Sequence, residues 1–233
     1  MSEPHSRRGS SPCSLFVTGT DTGVGKTLIS AALLHMLARH HARVVGMKPV
    51  AAGLVQQDDR WVSEDVLMLR AASTVRVPPE LDNPVALPEP LSPHLAAGRA
   101  GRHVGVAQLL AAQRALLALA DVVLVEGAGG WRVPLNDEET LADLARAMAA
   151  PVVLVVGLRL GCLNHALLTA EAIRADGLTL AGWVANSVDP DMACREENIE
   201  SLRQRLHAPL LGVVPWLAMP DPRAVTLCLP DAW

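Results

Sequence analysis

The sequence predicts an α/β fold: one doubly wound, mostly parallel sheet with helices on both faces. Short runs that are apolar throughout recur along the chain, as in SLFVTG (14–19), DVVLVEG (121–127) and PVVLVVG (151–157). Strands of this kind are buried on both faces, as in parallel sheets covered by helices. Longer helical segments separate them, so strand and helix alternate and βαβ units follow. Half of the 233 residues are hydrophobic, which gives a single domain over 14–233 ample core.

The elements follow in order. Residues 1–13 contain two arginines but no long apolar run and read as a disordered leader rather than a signal peptide. After the strand at 14–19 comes a helix, KTLISAALLHMLARHH (26–41), apolar over most of its surface. RVVGM (43–47) is the second strand. The stretch 49–104 is irregular and proline-rich, with one short helical piece at 63–72. It is too long for an ordinary loop and reads as functional. A helix at 106–120 precedes the strand at 121–127. The helix at 140–149 leads to the strand at 151–157, and that at 165–175 to LAGWVANS (180–187). A charged helix, 195–206, precedes the last strand, LLGVVP (210–215).

Net charge is −4, which points to neither nucleic acid nor an anionic membrane as partner. Cys13, Cys162, Cys194 and Cys228 form no C-x-x-C pair, so reduced thiols in a cytoplasmic protein are expected rather than a zinc site. No run reaches the ~18–20 apolar residues of a membrane span.

The chemistry begins at GTDTGVGKT (19–27). It ends as a phosphate-binding loop does, in Gly25-Lys26-Thr27. The first glycine, Gly19, stands one residue too early for the usual spacing, in which Gly and Gly-Lys-Thr/Ser are four residues apart. The order strand, glycine turn, Gly-Lys-Thr, helix is kept, so the loop reads as one residue longer, not broken. A helix N-terminus offers free N–H groups to phosphate. Gly23 and Gly25 let the backbone approach closely, Lys26 can reach β- and γ-phosphate oxygens, and Thr27 offers a hydroxyl to Mg²⁺.

Two further features converge on the same sheet edge, where parallel sheets bind ligands. Glu126 ends an apolar strand and begins a glycine turn, where a carboxylate is placed to serve Mg²⁺. Lys48 ends the second strand, with Pro49 stiffening the exit. The chain has eighteen arginines and two lysines, Lys26 and Lys48. A lysine kept against that bias points to the need for a compact ammonium on a flexible stem. Asp58, Asp59, Glu64 and Asp65 are all candidate metal carboxylates, and spacing does not choose among them.

With VTGTDTGVGKT, GMKPVAAG, the SPH of 92–94, VLVEGAGGW-x-VPL, GLRLGCLNHALLT, GWVAN and GVVPWL in order, the sequence resembles the dethiobiotin synthetases from about residue 14 to about 220. The lengthened phosphate loop belongs to that family's pattern. The resemblance implies a P-loop NTPase-like fold and an ATP-dependent ligase of biotin biosynthesis. Its substrates would be 7,8-diaminononanoate, CO₂ and Mg-ATP, and its product dethiobiotin. It implies Thr27, Asp65 and Glu126 as Mg²⁺ ligands. It assigns Gly23, Val24, Gly25, Lys26, Thr27 and Leu28 to the ATP phosphates, with Gly127, Ala128 and Gly129 beside them. Thr22, Lys26 and Lys48 carry the chemistry, and Thr22, Lys48 and Ala52 border the second substrate. Asn186, Ser187, Pro215, Trp216 and Leu217 match the adenine pocket. The family is a homodimer in which the loop matching Leu160, Gly161, Cys162 and Asn164 reaches the partner's substrate carboxylate.

Two departures stand out. Ala52 replaces a small hydroxyl residue common in the family, and the sequence after Leu217 matches poorly. Trp131 reads as packing, Cys162 as a small packing residue, and His94 and His165 have no assigned role. A partitioning-type switch ATPase of the same broad fold is the alternative reading. Those proteins carry an extra lysine early in the loop, which GTDTG lacks, and no basic amphipathic tail follows here. An amidotransferase-type synthetase would need a glutaminase domain for which the chain has no room.

Overall fold

Residues 13–230 and 233 are described by a computed structural model. In the first half, β1 (Cys13–Gly19) leads to α1 (Lys26–Leu37) and β2 (Val44–Met47). Then come β3 (Val50–Ala52), β4 (Val55–Gln57), β5 (Arg60–Val62), α2 (Glu64–Ala72), α3 (Pro79–Asp82), β6 (Val85–Leu87) and α4 (Pro93–Arg99). In the second half, α5 (Val106–Leu117), β7 (Val122–Glu126), α6 (Leu141–Met148) and β8 (Val152–Leu158) precede α7 (Cys162–Ala175). β9 (Leu180–Ser187), α8 (Arg195–Arg205) and β10 (Leu210–Val214) complete it.

Six strands pair in the order β10-β9-β8-β1-β7-β2. Every pairing among them is parallel. Side chains alternate between the faces of a strand, and the two core layers divide accordingly. Val123 and Val125 of β7 face the layer holding α5, α6, α7 and α8. Val122 and Leu124 face the layer holding α1, α2 and the chain around Val225 and Leu227. The doubly wound expectation holds. β1 is central, between β8 and β7, so the loop that follows it opens at the middle of the sheet's carboxyl edge.

Several boundaries differ from expectation. β1 begins at Cys13 rather than at 14; the remainder of the expected leader, residues 1–12, lies outside the described residues. α1 stops at Leu37 rather than running to 41. The next residues turn tighter, with Arg39 N–H on Met36 O and His40 N–H on Leu37 O, both at 3.0 Å. α7 begins at Cys162, not 165. Gly161 at φ 94° forms its N-cap, so Cys162 and Asn164 stand in its first turn rather than in a loop.

The 49–104 stretch is more ordered than its composition indicates. β3 and β6 form a two-stranded parallel sheet, and β4 and β5 a hairpin. The hairpin turn is Asp58-Asp59, both with positive φ (46° and 60°), the geometry of the tight turns favoured between antiparallel strands. These two exposed aspartates are therefore turn residues. Ser63 caps α2, its hydroxyl accepting from Val66 N–H, and puts Glu64 and Asp65 in the first turn.

Candidate active site

The extra loop residue is absorbed by the sheet. Thr20 continues β1 against β8, donating its N–H to Val155 O at 3.0 Å. Residues 21–24 then leave the usual four positions before Gly25-Lys26-Thr27. Gly23 (φ 72°) and Gly25 (φ 87°) are left-handed. A Cβ on Gly25 would lie 2.2 Å from Asn186 Nδ2, because that amide donates to Val24 O at 2.8 Å and ties the loop to β9. Asp21 braces the other side. Its carboxylate accepts from Thr22 N–H at 2.7 Å and pairs with Arg159, just beyond β8. Its carbonyl accepts from Lys26 Nζ at 2.8 Å.

Lys48 sits where β2 leaves the sheet, and its backbone is fixed on both sides. Its N–H donates to Asp82 O and its carbonyl accepts from Asn83 Nδ2, each at 2.7 Å. Asp82 also takes a two-point ion pair from Arg70 (2.7 and 2.6 Å), which sets α2, and with it Asp65, beside β2. Lys48 Nζ donates to Asp65 Oδ2 at 2.7 Å and Glu126 Oε1 at 2.6 Å. Thr27 Oγ1 meets the same two carboxylates, at 2.7 and 2.9 Å.

This cluster is buried on one side and open on the other. The Lys48 and Glu126 side chains are 5% and 0% exposed, that of Asp65 44%. Burial pulls the Lys48 ammonium down, but the Glu126 and Asp65 carboxylates outweigh it and hold its pKa above the usual lysine value. Burial likewise opposes the charge on Asp65, and Lys48 reverses that, leaving its pKa below the ordinary carboxylate value. Lys26 behaves differently. Burial, then the Lys48 charge, lower its pKa to about 8, against the pull of Glu126, Asp65 and Asp21.

The donor set fits a hard divalent cation. Mg²⁺ takes oxygen ligands, commonly one or two carboxylates with phosphate and water completing the shell. Thr27, Asp65 and Glu126 supply a hydroxyl and two carboxylates. Glu126 Oε1 takes Lys48, but its Oε2 is buried with no hydrogen-bond partner, an acceptor open to a further donor or cation. Among the described residues no group of three or more His, Cys, Asp or Glu could hold a metal ion.

A family model described as an AAA domain matches residues 13–223. The ATP-dependent dethiobiotin synthetase BioD of Aromatoleum aromaticum is 53% identical over 220 residues, spanning 94% of this chain and 97% of that protein. The chain belongs to the dethiobiotin synthetase family. Among solved structures, chloroplast FtsY from Physcomitrella patens matches 96% of this chain with a TM-score of 0.56 at 18% identity. The chain spans 64% of the FtsY length. A ParA family ATPase from Chlorobium tepidum matches with a TM-score of 0.52 at 12% identity, over 89% of this chain and 86% of that one. At such identities the likeness is one of fold alone: a mostly parallel central sheet with helices on both faces.

Within this dethiobiotin synthetase fold, one cleft of ≈ 770 Å³ gathers just under half of the sequence-predicted residues. Thr22, Gly23, Gly25, Lys26, Thr27, Lys48, Ala52, Asp65, Glu126, Ala128 and Gly129 all line it. Val24 is buried in the core at 0% exposure, Leu28 is buried too, and Gly127 packs on Phe16 behind the cleft. Asn186 and Ser187 are buried at the end of β9. Pro215, Trp216 and Leu217 follow β10, outside the cleft lining. Leu160, Gly161, Cys162 and Asn164 also lie outside it. Leu160 is 96% exposed and Cys162 is buried.

The sequence reasoning missed Asp21, Arg159 and the wall formed by Val50, Pro90, Leu91, Ser92 and Pro93. Ser92 and Pro93 stood within the quoted SPH triplet. Asp21 and Arg159 stood within quoted motifs too, but their pairing requires knowing that β1 and β8 are neighbours. Trp131 is a packing residue: its ring meets Phe16 edge to face at 6.0 Å, and its N–H donates to Asp176 at 2.8 Å. His165 is exposed.

Proposed function

We infer that the protein is an ATP-dependent dethiobiotin synthetase, closing the ureido ring of dethiobiotin from 7,8-diaminononanoate, CO₂ and ATP. The relative's name and the 53% identity over nearly the whole of both chains support this. The geometric observation that carries it is the second ammonium. Lys48 shares one cleft with the phosphate loop, and that cleft continues past it to Ala52 and the 90–93 wall. A switch ATPase needs room only for nucleotide and water; here the cleft lining runs beyond the phosphate loop and Lys48 to Val50, Ala52 and residues 90–93, which supports a second substrate.

The chemistry asks for alignment and positive charge rather than covalent catalysis. One amine of the diamine captures CO₂ as a carbamate. A carbamate oxygen attacks the γ-phosphorus and ADP leaves. The second amine then attacks the carbamic carbon, expels phosphate and closes the ring. Lys26 and the loop N–H groups hold the phosphates, Lys48 neutralises charge developing between carbamate and phosphoryl group, and Thr22 faces the substrate side. A Mg²⁺ held by Thr27, Asp65 and Glu126 would supply further charge neutralisation at the β- and γ-phosphates.

The enzyme acts as a cytoplasmic homodimer in this reading. Leu160 and Asn164 are exposed and stand apart from their own chain's cleft, as residues serving a partner's substrate would. The direct test is incubation with diaminononanoate, bicarbonate and Mg-ATP, with mass spectrometry for the cyclic urea. ADP release should require diamine and CO₂ together, since the attacking oxygen exists only after they combine. Brisk ATP hydrolysis indifferent to the diamine would sink the reading.

Lys26 adds a pH prediction. Burial and the Lys48 charge bring the Lys26 pKa down to about 8, and bound phosphates, being anionic, would raise it. Nucleotide binding just above pH 8 should therefore take up protons, and affinity should fall as pH rises through that value. Calorimetry in two buffers of different ionisation heat reads the uptake directly. Lys26→Met should abolish it; equal heats in both buffers for the wild-type protein would contradict the assignment.

A further inference from the structure

Lys48 occupies the carboxylate cluster that would hold a divalent cation. Its Nζ lies 2.7 Å from Asp65 Oδ2 and 2.6 Å from Glu126 Oε1, and those carboxylates also receive the Thr27 hydroxyl. A divalent cation drawing on the same oxygens would come within a few ångströms of that ammonium. Like charges that close, in a site screened from water on one side, repel strongly. The two cannot share the cluster in this arrangement.

We propose that Lys48 is a displaceable stand-in for the divalent cation. In the free enzyme it holds Asp65, Glu126 and Thr27 in position; when metal and nucleotide bind, it yields that seat and swings into the cleft. The proposal rests on the functional reading above and adds an order to it. The ammonium that serves the phosphoryl group is released only once the metal is in place.

Three observations carry it. The Lys48 backbone is pinned through Asp82 O and Asn83 Nδ2, so the side chain alone must move, and a four-carbon stem can do so. Glu126 keeps one buried oxygen, Oε2, without any partner, so the ammonium fills this seat incompletely. Lys48 also lines the cleft itself, so its exit leads toward the substrates rather than into protein. An ammonium in this role keeps two close carboxylates from facing each other uncompensated, which would otherwise destabilise the free enzyme.

Two measurements test it. The first uses Mn²⁺ without nucleotide, followed by electron paramagnetic resonance. The wild-type protein should bind Mn²⁺ weakly, and Lys48→Met should bind it at least about tenfold tighter, a difference of about 1.4 kcal/mol, because the competitor is gone. Lys26→Met, which removes a lysine that touches neither carboxylate, should gain much less. A Lys48→Met protein that binds Mn²⁺ no tighter than wild type overturns the proposal.

The second needs no variant. With two lysines in the chain, ¹³C-lysine labelling gives two resolvable ε-CH₂ signals. ADP alone should move the Lys26 signal and leave Lys48 in place; Mg-ADP should move both. If Mg-ADP moves Lys26 and leaves Lys48 where it was, the exchange is wrong and the nucleotide site stands. If neither responds, the nucleotide reading fails and takes the exchange with it.

Discussion

Replacing Lys48 with arginine should lower kcat about as far as replacing it with alanine, by roughly 10²–10³-fold, the range seen when one transition-state donor is lost. The seat explains why a cation of equal charge fails. The ammonium is 5% exposed and lies between two carboxylates at 2.6 and 2.7 Å. The backbone behind it is held at both N–H and C=O. A guanidinium is planar and larger, and its fork suits two-point pairing with one carboxylate. It would lock onto Asp65 or Glu126 instead of swinging toward the phosphoryl group. Nucleotide binding should change far less than turnover, since Lys26 and the loop N–H groups remain. Diamine-dependent ADP release against ATP concentration separates kcat from KM. An arginine variant with near wild-type turnover would show that only the charge of Lys48 matters, and that its flexible stem does not.

The buried strands were legible because a parallel sheet covered on both faces demands runs without polar interruption. SLFVTG, DVVLVEG and PVVLVVG can do little else. The phosphate loop was legible despite its odd spacing because strand, glycine and Gly-Lys-Thr stand in order. Why one extra residue is harmless was not: only the sheet shows Thr20 bonded to Val155 as a continuation of β1. The stretch 49–104 misled because its order comes from contacts distant in sequence. β3 pairs with β6 across more than thirty residues, and no local periodicity announces a three-residue strand.

The site divides the same way. Residue type and position at a strand end were enough to single out Lys48 and Glu126. Their mutual contact was not, since it joins β2 to β7 through the order in which the sheet is wound. Among the four acidic candidates, Asp58 and Asp59 are explained by a hairpin turn. Asp65 is distinguished by its contacts with Thr27 and Lys48, which no spacing rule encodes. The start of α7 at Cys162 was misjudged for a local reason. Gly161 and the apolar Leu163 look like loop and core by type, yet a left-handed glycine is also a helix N-cap.

Glu126→Leu should lower the stability of the nucleotide-free protein by about 3–5 kcal/mol, the range for breaking a buried ion pair from one side. At roughly 2–4 °C per kcal/mol for a chain of this size, the melting temperature should fall on the order of 10 °C. The loss comes from the partner left behind. Lys48 would remain buried, with Asp65 as its one carboxylate. Removing the lysine as well should therefore restore much of the loss, because Lys48→Met/Glu126→Leu replaces both charges by apolar groups of similar size. Asp65, with 44% of its side chain exposed, can then be solvated by water. The double variant should be folded, stable and inactive, and thermal unfolding of all four proteins gives the coupling between the two positions. If the double variant is as unstable as the sum of the singles, the pair is not what Glu126 contributes to the fold. Recovered stability without recovered turnover would show that this buried pair is retained for the cation and the phosphoryl group rather than for folding.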